Sequence, residues 1–224
     1  MTDKDKFMYL MPGNWFELKN INLNKSFPYD INMLKEEILS QVNNRADKLS
    51  FINLTFGKKY GKSVVEEIIF YLDENKFSGM IEMQKSEKRH PIITFHGTSS
   101  DAVKSILANG YIVPSCGKKK TDMIVKKVHG SAYGIGIYSS PHFDKSMCYT
   151  VPDNVKYVYV LINMVFLGVM KMIPPCGVIV DNKPPVNGVY LDGSNTRIVY
   201  GLDQLVSANP NKIFPVAVMK ISVM

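Results

Sequence analysis

Residues 91–110, PIITFHGTSSDAVKSILANG, set a histidine and a glycine between a β-branched run and a helix that announces both of its ends. Ile92, Ile93, Thr94 and Phe95 are strand formers, and Pro91 can begin a strand but not continue through one. Ser99 and Ser100 are candidate N-caps, and Asp101 falls in the first turn, where the helix dipole favours negative charge. Val103, Ile106 and Leu107 recur at helical spacing before Gly110 supplies a stop. His96 and Gly97 are therefore expected at the mouth of a strand-to-helix loop, where a rigid strand end meets backbone available to a ligand. By itself the stretch favours an ordinary half-buried loop histidine over a ligand-binding one.

The flanking chain changes character near residue 90. Residues 31–48 put Met33, Leu34, Ile38, Leu39 and Val42 on one face of an amphipathic helix. SVVEEIIFYLDEN from Ser63 repeats that pattern, with Ser63 and Glu66 spaced as a capping box. SFINLTFG between the two reads as a strand, FSGMIEMQ after them as another, and KSEKRHP as a charged connector. Residues 1–90 are thus expected to form a small α/β segment, to which no chemistry can be assigned. From residue 91 onward one helix, 99–109, precedes GIGIYSS, KYVYVLINMVFLG, CGVIVD, GVYL, TRIVYGL, QLVSAN and FPVAVMKI, strand-like runs separated by Gly, Pro, Asn and Asp. The expectation for residues 91–224 is an α+β domain dominated by antiparallel sheet.

Charge is unevenly spread. Residues 1–90 hold 14 Lys and Arg against 13 Asp and Glu, whereas residues 91–224 hold 13 against 7. Those seven acids are all aspartates, and the last glutamate is Glu87, so no mechanism in the second part can use a glutamate. Cys116, Cys148 and Cys176 have neither metal-ligand nor disulfide-framework spacing, which points to a reducing intracellular compartment, cytoplasmic or nuclear. The N-terminal residues lack the apolar core of a secretory signal, and the lipophilic segment Tyr157–Ile173 reads as buried strand rather than a membrane span.

Two further stretches gain meaning beside FHGT. In YGIGIYSSPHFDKSMCYT, residues 133–150, Gly134 and Gly136 suit a tight turn before Tyr138, and they lack the helix and downstream acid of a dinucleotide fingerprint. Residues 142–149 fit a short helix on which Ser146 and Tyr149 share a face. A hydroxyl and an aromatic ring beside a second tyrosine suit a flat amide, although without His96 and Gly97 the favoured reading of Tyr149 is packing of helix against sheet. The other stretch is DQLVSANPNKIFPVAVMKI, residues 203–221.

Together these residues resemble the catalytic domain of poly(ADP-ribose) polymerase-like, or diphtheria-toxin-like, ADP-ribosyltransferases over residues 91–224. His96, Gly97 and Thr98 meet the family's H-G-[ST], Gly134 to Tyr138 meet its G-x-G-I-Y, and Ser146 and Tyr149 follow that tyrosine at the family's spacing of eight and eleven residues. The resemblance implies a split, mostly antiparallel sheet that grips NAD⁺, here a donor substrate, with no metal. It implies that His96 bonds the adenosine ribose, with Thr98 nearby, and that the Gly97 backbone holds the nicotinamide carboxamide. Tyr138 and Tyr149 would sandwich the nicotinamide ring, and Ser146 would bond its carboxamide oxygen.

The family's third triad position, a glutamate, is where this chain departs. Counting back from Phe214 and Pro215 lands on Gln204. Glutamine can bond a ribose hydroxyl, but it is neither a base nor a charge that stabilises an oxocarbenium ion. A His96, Tyr138, Gln204 triad therefore implies transfer of one ADP-ribose rather than polymer, to a protein acceptor or a nucleic acid, with no membrane partner. Two alternatives remain open at this point: an inactive module that binds NAD⁺ or ADP-ribose, and a basic nucleic-acid binder. Lys118, Lys119, Lys120, Lys126 and Lys127 are read equally as a solvated face or as a contact with pyrophosphate or an acidic acceptor. His129 and His142 are read as loop histidines.

Overall fold

The structure, a computed structural model, describes residues 31–46, 63–87, 91–113, 133–153, 156–173, 183, 185–199 and 204–223. In chain order the elements are α1 (Ile31–Ala46), β1 (Ser63–Phe70), α2 (Glu74–Ser86), β2 (Ile92–Thr98), α3 (Ser100–Asn109), β3 (Ile137–Ser139) and α4 (Phe143–Met147). They continue with β4 (Tyr157–Val165), β5 (Met170–Ile173), β6 (Thr196–Val199), β7 (Gln204–Ser207), a 3₁₀ turn (Pro210–Lys212) and β8 (Ile213–Val223).

The strands form two four-stranded sheets, ordered β1-β8-β4-β2 and β3-β7-β6-β5. Every pairing is antiparallel except β5 with β6. This is the expected α+β, split and mostly antiparallel fold. The split lies between the edge strands β2 and β3, where a backbone bridge joins Phe95 of β2 to Ser140, just past β3. Phe95 N–H donates to the Ser140 carbonyl at 2.6 Å, and Ser140 N–H donates back to Phe95 at 3.0 Å.

Two apolar clusters account for the layers. One face of the first sheet sends Ile93, Phe95, Val160, Ile162 and Met219 against Leu34 and Ile38 of α1, Phe77 and Met80 of α2 and Phe143 of α4. The opposite face sends Leu161, Val165 and Val218 toward Ile137 and Leu205 of the second sheet and Val103 of α3. Alternation along each strand makes both clusters possible, because successive side chains leave on opposite faces. Each fully buried Leu, Ile or Phe stabilises by about 1.5–3 kcal/mol.

Before residue 90 the local expectations exchange places. SVVEEIIF is strand β1, not a helix, and Ser63 and Glu66 form no capping box. Its β-branched residues suit a pleated edge, and β8 offers the partner: Ser63 faces Val223 and Phe70 faces Ala217, with a bulge between Val65 and Glu67. FSGMIEMQ is helical rather than a strand. Asp73 starts that helix by accepting from Lys76 N–H at 2.8 Å, and Phe77 and Met80 bury its inner face. Met33, expected on the apolar face of α1, is exposed, while Leu34 and Ile38 are buried. Strand β1 thus lies in one sheet with β8, across the expected boundary at residue 90. Glu87 also forms an ion pair with Lys212 at the entry to β8.

The helix after β2 forms as expected. The Ser99 hydroxyl accepts from Ala102 N–H at 3.3 Å, and Gly110 closes the helix with φ of 75°. His96 and Gly97, however, lie inside β2 rather than in a loop, because the strand runs on to Thr98 against Tyr159 of β4. KYVYVLINMVFLG supplies β4 as far as Val165, and the chain turns before β5. GVYL contributes only the Val186–Val189 bridge, and CGVIVD and SFINLTFG lie outside the described residues.

Candidate active site at the sheet split

The split exposes the edge of β2. In an antiparallel pair the backbone groups of successive residues point alternately toward and away from the partner strand. Phe95 bonds Ser140 on the β3 side, so Gly97, two residues on, turns its N–H and C=O to that side as well. A carboxamide laid along this edge would meet one donor and one acceptor from a single residue.

Gly97 is required for a reason the sequence did not show. A Cβ there would lie 1.8 Å from the Ser146 carbonyl oxygen and 3.0 Å from the Thr150 side chain. The glycine lets α4 close onto β2. The Ser146 hydroxyl completes that contact by donating to the Phe95 carbonyl at 2.8 Å. Its proton is thereby engaged, so toward a carboxamide Ser146 presents acceptor lone pairs, whereas the resemblance implied donation to the carboxamide oxygen.

His96 sits across the split from Tyr138. Its Nδ1 lies 2.6 Å from the Tyr138 carbonyl, which can only accept, so Nδ1 carries the proton and the neutral ring has Nε2 as its acceptor. The ring also packs edge-on against Tyr111 at 5.4 Å between centroids. Tyr111 is itself fixed, donating to Asn163 Oδ1 at 2.9 Å inside the first sheet, and burial raises its phenol pKa far above the ordinary value. Neither Tyr111 nor Asn163 was singled out from sequence. An asparagine in the apolar run of β4 was the available signal.

Tyr138 occupies the middle of β3 with its hydroxyl tied locally, donating to the Gly134 carbonyl at 2.8 Å and accepting from Tyr133 N–H at 3.1 Å. Burial, the largest influence, pushes its pKa up to about 12, so the phenol stays protonated at neutral pH. The G-x-G segment serves this arrangement. Gly134 has φ of 103°, and a Cβ on Gly136 would come within 2.3 Å of the Tyr190 hydroxyl.

Tyr149 is 39% exposed, and its hydroxyl accepts from Gln204 Nε2 at 3.1 Å. Gln204 opens β7 two residues before Val206, and Val206 pairs with Tyr138. Gln204 and Tyr138 therefore share one face of the second sheet. His96, Gly97, Tyr138, Ser146, Tyr149 and Gln204 thus converge at the split, joined through the Phe95–Ser140 bridge and the Gln204–Tyr149 bond. Thr98 ends β2 beyond Gly97. Lys118, Lys119, Lys120, Lys126, Lys127 and His129 lie outside the described residues, as does Asp203. His142 is the N-terminal flank of α4, and among the described residues no group of three His, Cys, Asp or Glu is placed to hold a metal.

A family model for the poly(ADP-ribose) polymerase catalytic domain matches residues 52–203. The chain belongs to that family. No curated protein matches the chain. As a poly(ADP-ribose) polymerase-type catalytic domain it is an ADP-ribosyltransferase domain, and NAD⁺ is the family's substrate. The match begins within SFINLTFG, ahead of β1, so it takes in residues on both sides of position 90. Among the described residues of this ADP-ribosyltransferase domain, no helix is long and apolar enough to cross a membrane.

Proposed function

We propose that this domain transfers a single ADP-ribose from NAD⁺ to a protein acceptor, using His96, Tyr138 and Gln204 as its triad. The observation that carries the reading is the position of Gln204: on the Tyr138 face of the second sheet, hydrogen-bonded to the exposed ring of Tyr149. An uncharged amide there bonds a ribose hydroxyl but takes no proton from an incoming sugar hydroxyl, which is the step a polymer needs.

In this reading the Gly97 backbone and Ser146 hold the carboxamide, Tyr138 and Tyr149 flank the ring, and His96 Nε2 accepts from the adenosine ribose. The bond between ribose C1′ and the nicotinamide nitrogen breaks, and its electron pair leaves with neutral nicotinamide. The acceptor nucleophile bonds to C1′ and loses its proton to solvent or to its own surroundings. Orientation and ring stacking then supply most of the rate, as Gln204 adds dipole rather than charge.

One observation favours a second reading, a module that binds NAD⁺ or ADP-ribose without turnover. The Gln204 amide donates to Tyr149 within the protein, an internal bond that a ribose hydroxyl must displace or share. Labelled NAD⁺ incubated with the purified protein, with and without cell extract, separates the two. Nicotinamide release with label retained on protein supports the transferase. Saturable binding without release supports the module, and label made acid-soluble by nuclease would move the acceptor to nucleic acid.

A further inference from the structure

Behind Tyr138 lies a buried cation that the reaction as described does not use. Arg197 is 1% exposed, the largest fully buried side chain among the described residues. It lies in β6, and Val206 of β7 pairs with Arg197 on one side and with Tyr138 on the other. Residues paired in one row share a face, so the arginine and the tyrosine stand on the same face two strands apart, roughly 10 Å by strand spacing.

The guanidinium is held on three sides. Its centre stacks 3.7 Å from the centroid of the Tyr190 ring, and Nη2 pairs with Asp192 Oδ2 at 3.2 Å. Its remaining contact reaches the active-site loop: Nη1 donates to the Tyr133 carbonyl at 3.4 Å. The N–H of the same Tyr133 donates to the Tyr138 hydroxyl at 3.1 Å. Tyr133 and Tyr138 also pack together against Tyr190, Val206 and Ala208. Tyr190 presses on the loop from below, its hydroxyl donating to the Val206 carbonyl at 3.3 Å and filling the space that Gly136 leaves open.

Charge burial without a return in function is a poor route to stability, since an apolar side chain of similar volume packs there as well or better. Nε of Arg197 is buried without a hydrogen-bond partner, which adds to that cost. Asp192 is the counter-charge, braced by Ser194 at 2.6 and 3.0 Å and by Lys171 at 3.2 Å.

We propose that Arg197 is a positioning residue for the nicotinamide site: clamped by Asp192 and Tyr190, it fixes the Tyr133 peptide and through it the ring of Tyr138. It acts on the ring-binding half of the pocket alone. The ribose-binding half depends on His96, which is anchored to the Tyr138 carbonyl and the Tyr111 ring rather than to the Tyr138 hydroxyl. This inference rests on the proposed NAD⁺ site.

The test compares binding of nicotinamide and of ADP-ribose, measured by calorimetry, in the wild-type protein, in Arg197→Lys, and in the double variant Asp192→Asn with Arg197→Met. Lysine keeps the charge for Asp192, but it cannot stack as a plane or bridge two acceptors in fixed geometry. The double variant removes both buried charges together, so the one ion left without its partner is the half-exposed Lys171, which water can solvate. Both variants should unfold cooperatively, weaken nicotinamide about tenfold, the scale of one lost stacking geometry, and leave ADP-ribose within about twofold. Folded variants that bind nicotinamide as wild type does, or that lose both ligands in parallel, would overturn the inference. So would failure of both variants to fold, which would assign the cluster to stability. Wild-type protein that binds neither ligand defeats the NAD⁺ site itself, a result read before either variant is made.

Discussion

Gln204 and Tyr149, 55 positions apart in the chain, are joined by a 3.1 Å hydrogen bond in which the amide donates to the phenol. The bond ties the start of β7 to the residue just past α4. One partner is a candidate nicotinamide-stacking ring and the other is the residue proposed for the third triad position. Changes at position 204 therefore act on charge and on ring position together.

Gln204→Glu reverses the direction of that bond, because a carboxylate accepts from Tyr149 where the amide donated. With a negative charge beside the reacting ribose, nicotinamide release should rise on the order of ten- to a hundredfold. Single-turnover release is the measurement, with acceptor products sized on a gel for elongation. An unchanged rate with unchanged NAD⁺ affinity would remove Gln204 from the triad.

His96→Ala removes the group that spans the split to the Tyr138 carbonyl. Loss of the ribose contact and of that tether should weaken NAD⁺ by about 10- to 100-fold, the scale of one or two hydrogen bonds. Calorimetric titration decides it, and wild-type affinity in the variant would place the adenosine ribose elsewhere.

Gly97→Ala drives a methyl group into the Ser146 carbonyl, so α4 must move off β2. Overpacking of this kind costs about 1–3 kcal/mol. The thermal midpoint should fall by several degrees and nicotinamide binding should fall with it, whereas Gly110→Ala, facing open space at positive φ, should cost stability alone.

The Asp192 carboxyl feels burial, which raises its pKa, but Ser194, Lys171 and Arg197 together hold it down at about 2, against 3.8 for an ordinary aspartate. A depressed folded-state pKa contributes stability that is complete above about pH 4 and is lost as pH falls toward 2. The contribution is on the order of 1 kcal/mol, as the group keeps some contact with water. Asp192→Asn should flatten that acid limb in urea unfolding, and at pH 7 it should cost about what wild type loses on protonating the carboxyl, on the order of 1–3 kcal/mol. A limb as steep as that of wild type would assign the acid loss to other carboxylates.

A chain beginning at residue 91 lacks β1, which covers the outer edge of β8, and the α2 residues Phe77 and Met80 of the main core. It should not unfold cooperatively in circular dichroism, while a chain beginning at residue 31 should. Equal cooperativity in the two would support residue 90 as a domain boundary.

The local chemistry of residues 91–110 was sufficient for the start of β2 and for α3, because caps, β-branching and a terminal glycine act on their own neighbours, whereas the run of β2 through His96 and Gly97 to Thr98 depends on its pairing with β4. The spacing of Tyr138, Ser146 and Tyr149 and the count back from Phe214 and Pro215 likewise depend only on order along the chain. Ser63–Phe70 was not legible in this way. Its Val and Ile positions satisfy a helical stripe and a strand equally, and only the free edge of β8 selects the strand. Arg197 left one trace, a lone cation in the apolar run TRIVYGL, and nothing local reveals that Asp192 and Tyr190 bury it beneath the Tyr138 loop. What the sequence by itself determined is the family, the donor and the residue types at the split. What tertiary structure decided is which of them touch: His96 with the Tyr138 carbonyl, Ser146 with Phe95, Gln204 with Tyr149. Those contacts join strands and helices far apart in the chain, and their geometry is set by sheet register and core packing, which no local pattern encodes.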